Sequence, residues 1–221
     1  MYIPLYNKSN YSLLSSMLTI DDLVSFAVNH KISSMALSDD SMYGVMEFVK
    51  KCQKENIKPI IGLTITLEEF IIVLYCKNYK GYQNLIKLST IQNERLVTVD
   101  DLKSFSSEVI SVLPFESRSK YSLAKEIYSD LYLGYSSKLE EKEVLLDTKN
   151  VVFFPLSLYL HKEDSDYLTY LYKIRDGKTV SDEVGYDILN HELEIPNLLE
   201  RTDNIGLLNT MRISDACNLE F

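Results

Sequence analysis

The sequence predicts an α/β fold, with a parallel sheet of about seven strands that outer helices cover and that closes toward a barrel. Short β-branched runs alternate with stretches of helical periodicity along most of the chain. Strand, helix and strand recur too often for separate layers, and crossover helices between parallel strands are the economical solution. With only seven glycines and five prolines in 221 residues, no flexible linker divides the chain, which reads as one domain over residues 1–221.

Residues 2–6 (YIPLY) read as the first strand. Thr19 then offers an N-cap, with Asp21 and Asp22 in the first turn where carboxylates suit the helix dipole. Leu23, Phe26, Ala27 and His30 follow at helical spacing. SMALS (34–38) reads as a short buried strand, and 43–55 as an amphipathic helix with Val45, Phe48, Val49 and Cys52 inward. The strongest strand signals are KPIIGLTITL (58–67) and EFIIVLYC (69–76). A helix is expected over about 79–93, carrying Tyr82, Leu85, Ile86 and Leu88, and a shorter one after Thr98. EVISVLPF (108–115), DLYLGY (130–135) and NVVFFPLSLYL (150–160) give three more strands. Beyond residue 161 the pattern is mostly helical, over 163–176 and about 196–218.

Charge and cysteine usage exclude several classes. The formal net charge is −9 with a pI near 4.9, which repels phosphate backbones and makes the chain alone a poor nucleic-acid binder. Lys50, Lys51, Lys54 and Lys58 cluster near one helix end and read as a solvated face. Cys52, Cys76 and Cys217 are widely spaced and odd in number, which suits small buried hydrophobes in a reducing compartment. No apolar run approaches a membrane span, and residues 1–20 lack a signal-peptide pattern, so a cytoplasmic setting is expected.

Sites for chemistry are few. There is no glycine-rich phosphate loop, no GxSxG and no HExxH. His30 ends the first helix, His161 starts a later one, and His191 lies in a polar loop, each with a structural explanation. Asp39 and Asp40 follow the strand SMALS at the end where α/β proteins place their sites. Either they bind a ligand there, or Asp39 caps the helix or turn that follows. The residues ending the first strand are Tyr6, Asn7 and Lys8, none a usual ligand for a catalytic divalent ion.

Several stretches in order carry a family resemblance. LLSSMLTIDDLVSFAVNHKISSMALSDDSMYGVMEFVKKCQKENIKPIIGLTI (13–65) is similar to the start of the alpha subunit of bacterial DNA polymerase III. LYCKNYKGYQNLIKLST (74–90), YLHKEDSDYLTYLYKIRDGKTVSD (159–182) and RISDACNLEF (212–221) resemble later parts of the same amino-terminal region. That region is the PHP (polymerase and histidinol phosphatase) domain, and the resemblance implies a distorted β/α barrel. Beginning at Met1 and without an inserted exonuclease, the chain resembles the simpler alpha type, from a Gram-positive-like lineage. Residues 196–221 would lead toward the polymerase palm.

Family members with a metal site carry a His-x-His pair where this chain has Tyr6 and Lys8. Their Asp-His falls on Asp39 and Asp40, their glutamate on Thr64, and their Asp-x-His on Leu156 and Leu158. The resemblance therefore implies a lost metal site, with Tyr6, Leu156 and Leu158 filling the barrel mouth. No cofactor is expected in this segment, although a parent polymerase would need magnesium. The expected role is a structural domain whose partners are the palm and other polymerase domains, and replisome subunits. DNA would be met only through the parent chain, and membranes not at all. The competing expectation is a metal-dependent phosphoesterase or 3'-5' proofreading exonuclease built around Asp39 and Asp40. A more remote one is a free-standing barrel that binds a phosphorylated ligand.

Overall fold

A computed structural model describes residues 2–196 and 205–220. Its elements run α1 (Ile20–Asn29), β1 (Ser34–Leu37), α2 (Val45–Lys54), β2 (Lys58–Thr66), β3 (Ile71–Cys76), α3 (Tyr79–Glu94) and α4 (Val99–Ser104). There follow β4 (Val109–Leu113), α5 (Tyr121–Ile127), β5 (Leu131–Tyr135), α6 (Lys138–Asp147), β6 (Val151–Phe153), α7 (Ser165–Arg175) and α8 (Ile205–Ala216). Short 3₁₀ helices cover Phe115–Lys120 and Lys162–Asp164. The six strands form one sheet whose spatial order repeats the sequence order. Of the helix expected over 196–218, α8 is present, while 197–204 lies outside the described residues.

Local chemistry explains most boundaries. Thr19 and Asp22 form a reciprocal capping box at α1, and Thr98 and Asp101 form another at α4. β1/β2, β4/β5 and β5/β6 pair in parallel, but β3 is antiparallel to both neighbours. That corrects the wholly parallel expectation. Leu67 N–H donates to the Phe70 carbonyl at 2.8 Å, and so tight a return can only reverse the chain.

Residues 2–6 are buried and extended but do not form a ladder strand. They lie in the seam between β1 and the chain after β6. Ala36 and Ser38 N–H groups donate to the carbonyls of Pro4 and Asn7, at 3.4 and 2.9 Å. On the other side Ser157 N–H donates to Tyr6 C=O at 2.8 Å, and Lys8 N–H to Ser157 C=O at 3.2 Å. Pro4 has no N–H to offer, so the seam is thinner than a strand pair. The expected strand over 150–160 shrinks to β6 for a similar reason. Pro155 interrupts it, and Leu158 N–H turns instead to the His191 carbonyl at 2.8 Å. Six strands plus this seam make the distorted β/α barrel.

Aromatic side chains fill the interior. Tyr6 stacks on Phe154 with ring centroids 4.7 Å apart, and Tyr75 meets Phe154 edge-on at 6.5 Å. The Tyr75 hydroxyl crosses the interior to donate to Leu5 C=O at 2.7 Å. Gly62 is the direct cross-strand partner of Tyr75, and a Cβ there would sit 2.7 Å from its ring. The absent side chain is what admits the ring. Beside β6, α8 is pinned by Asn209, which donates to Val151 C=O at 2.7 Å, and by Thr210, which accepts from Ile3 N–H at 3.1 Å. Leu158, Tyr159 and Leu168 form a second, smaller core beneath α7.

Candidate functional site

The barrel mouth brings Tyr6, Lys8, Asp39, Asp40 and Thr64 together. Asp39 follows β1 and is fully buried. Its carboxylate accepts from Ser9 N–H at 2.6 Å, Ser9 Oγ at 2.7 Å and Ser12 Oγ at 2.8 Å. Removal from water pushes its pKa up, and those three donors only partly offset the shift. Asp39 therefore ties down the loop before α1. It does not cap the next helix, correcting that expectation, for α2 begins after Gly44 without a side-chain cap.

Asp40 points the other way. Lys8 Nζ donates to its Oδ1 at 2.7 Å, with side-chain exposures of 14% for the lysine and 37% for the aspartate. Thr64 Oγ1 donates to Ser38 C=O at 2.6 Å, and its N–H donates to Asp39 C=O at 2.9 Å. Burial pushes the Tyr6 phenol well above its usual pKa, and the hydroxyl contacts the Thr64 side chain.

Leu156 and Leu158 stand apart from the expected filling of the mouth. Leu158 is buried in the second core with Tyr159 and Leu168, whereas Leu156 is half-buried and packs against both cores. Pro155 redirects the chain here, so the two leucines do not enter the barrel together. The reading from sequence missed Ser9, Ser12 and Gln92. Gln92, on α3, donates Nε2 to the carbonyls of Asp40 and Thr64 at 2.8 and 3.0 Å. A Ser-x-x-Ser loop facing an acid at the end of the adjacent strand was the available signal for the two serines.

The histidines are structural. His30 Nδ1 lies 2.9 Å from Phe26 C=O, and its ring packs on Phe26 at 4.1 Å. His161 sits at the start of a 3₁₀ turn, and His191 Nδ1 is 3.2 Å from Leu156 C=O. Among the described residues no group of three or more His, Cys, Asp or Glu is arranged to hold a metal ion. All three cysteines are buried free thiols, and burial raises the pKa of Cys52 and Cys217 to about 12. Lys51 pairs with Asp21 and Glu47, and Lys58 binds Ser214 C=O and Asn218, while Lys50 and Lys54 are exposed, so the lysine cluster is part solvated face and part internal contact. Among the described residues no helix is long and apolar enough to cross a membrane.

Comparison with known proteins agrees with this architecture. The chain is 28% identical over 255 aligned residues to the DNA polymerase III subunit alpha of Halalkalibacterium halodurans, with 99% of the chain and 23% of that relative covered. The Bacillus subtilis DNA polymerase III subunit alpha is 27% identical over 261 residues, again with 99% of the chain and 23% of the relative covered. A shorter match to the Ureaplasma parvum DNA polymerase III subunit alpha reaches 45% over 91 residues, 41% of the chain and 9% of that relative. The chain thus spans less than a quarter of these relatives, at 23% or below. The family model for the PHP domain matches residues 5–147, and the chain belongs to the PHP-domain family.

Proposed function

We propose that this chain is a non-catalytic PHP domain that braces a replicative DNA polymerase III alpha chain in the cytoplasm, with its metal site lost. The observation that carries the reading is the Lys8–Asp40 ion pair at 2.7 Å. An ammonium stands where a divalent ion would need a donor, and it neutralises the more exposed of the two acids. The other, Asp39, already accepts three hydrogen bonds from Ser9 and Ser12. Tyr6, Thr64, Leu156 and Leu158 add one phenol held protonated, one hydroxyl turned to a backbone carbonyl, and two hydrocarbons. This donor set does not fit a hydrolytic metal centre, which needs about three convergent ligands and an open position.

Templated DNA synthesis, and the magnesium it requires, would then belong to the rest of the alpha chain. The relatives being DNA polymerase III alpha subunits, and the 99% coverage of this chain, support that assignment. The test combines metal analysis with primer extension. Purified protein should hold no stoichiometric zinc, manganese or iron, and added manganese should leave its thermal midpoint unchanged. In the polymerase, Asp39→Ala with Asp40→Ala should leave primer extension nearly unchanged, whereas deletion of the domain should give poorly soluble, poorly active enzyme. Chelator-sensitive nuclease turnover lost in the double variant would overturn the proposal.

A further inference from the structure

We infer that the outward face of α7, formed by Tyr167, Tyr170 and Ile174, is the surface on which the polymerase body of a DNA polymerase III alpha chain docks; this rests on the bracing reading above. The three residues recur at i, i+3 and i+7, so they share one side of the helix. They are 61%, 46% and 62% exposed. The opposite side is already used, because Leu168 is fully buried in the second core with Leu158 and Tyr159. α7 is therefore apolar on both sides, which a helix needing only to cover its own barrel would not require. Two tyrosines and an isoleucine in a row supply rigid, amphipathic contact area of the kind enriched at protein interfaces.

Where the stripe lies identifies its occupant. The PHP family model matches residues 5–147, a span that includes α6 and stops short of α7. The polymerase relatives nevertheless match 99% of the chain, a span that includes α7. Those relatives are more than four times as long as this chain, since it covers 23% of each. An exposed apolar stripe in the stretch beyond the PHP match, which the polymerase relatives share, suits packing against polymerase mass. The second core beneath α7 centres on Leu158, Tyr159 and Leu168, so α7 gains more from being covered than a helix seated on the main core.

Hydrogen exchange tests this on the 221-residue chain, alone and together with the polymerase polypeptide, whether fused or co-expressed. Amides of α7 should exchange about tenfold or more slowly in the larger assembly. Tyr167→Ser with Tyr170→Ser should abolish that protection while leaving the thermal midpoint of the chain alone unchanged, since both side chains are exposed. Protection confined to another face, such as Leu139 and Leu146 on α6, would overturn the α7 assignment and leave the bracing reading standing. Protection nowhere would overturn both. Dimerisation of the chain alone that is lost in the variant would assign the stripe to a second copy, and would overturn the inference.

Discussion

The ammonium of Lys8 and the carboxylate of Asp40 meet at 2.7 Å across the barrel mouth, joining the N-terminal seam to the end of β1. The aspartate keeps 37% of its side chain exposed, so solvent screens the pair and its contribution to stability is modest. A double-mutant cycle with Lys8→Met and Asp40→Asn should give a coupling of about 0.2–1 kcal/mol in urea unfolding. Coupling of several kcal/mol would mean that the pair behaves as buried.

Asp39 should make stability depend on pH in the less common direction. Its folded pKa lies above the unfolded value because burial disfavours the carboxylate. Its contribution is therefore complete below the unfolded pKa, about 3.9, and is lost as pH rises through the raised folded value. The stability difference between the parent and Asp39→Asn should accordingly shrink from acid toward neutral pH. At neutral pH the variant should still be less stable by about 1–3 kcal/mol, because its amide meets donors from Ser9 and Ser12. Paired chemical denaturation curves across that range provide the measurement.

Restoring Asp at 156 and His at 158 should destabilise the fold without creating phosphoesterase activity. Leu158 is 2% exposed in the second core, so Leu158→His should cost about 2–5 kcal/mol. Leu156→Asp, at a half-buried position, should cost less. Thermal melts and turnover of a model phosphate ester, with and without manganese, check both halves. A double variant as stable as the parent would place these side chains in water.

Gly62→Ala tests the packed interior. Its new Cβ would stand 2.7 Å from the Tyr75 ring and 3.1 Å from the Leu74 carbonyl, and the carbonyl cannot rotate away. Overpacking of this kind costs about 1–3 kcal/mol. Denaturant unfolding should show a lower midpoint with an unchanged slope.

Capping and periodicity made the helices legible from sequence, because Thr19–Asp22 and Thr98–Asp101 satisfy backbone donors within one turn. Strand direction was less legible. Nothing in the composition of residues 58–76 separates a tight return from a crossover except the shortness of the gap between the two strand-like runs. Both prolines that thinned the expected strands, Pro4 and Pro155, were visible, but their effect depends on which neighbour needed the missing N–H. At the site, Asp39 and Asp40 were found as a pair, yet their different surroundings were not. Ser9, Ser12 and Lys8 come from a loop about thirty residues upstream, and only the fold brings them in.

Strand order that repeats sequence order lets the sheet grow as the chain is made, each new strand finding its neighbour already in place. The seam is the exception, since Tyr6 and Lys8 must wait for Ser157 to emerge. At ordinary synthesis rates of about 5–20 residues per second, that delay is on the order of ten seconds. For that interval the first strand-like segment and the growing edge of the sheet both stand open to wrong partners. A chain halted before Ser157 would therefore hold its first segment on the β1 side alone, through the carbonyls of Pro4 and Asn7, with the Tyr6 carbonyl and the Lys8 N–H on the open edge.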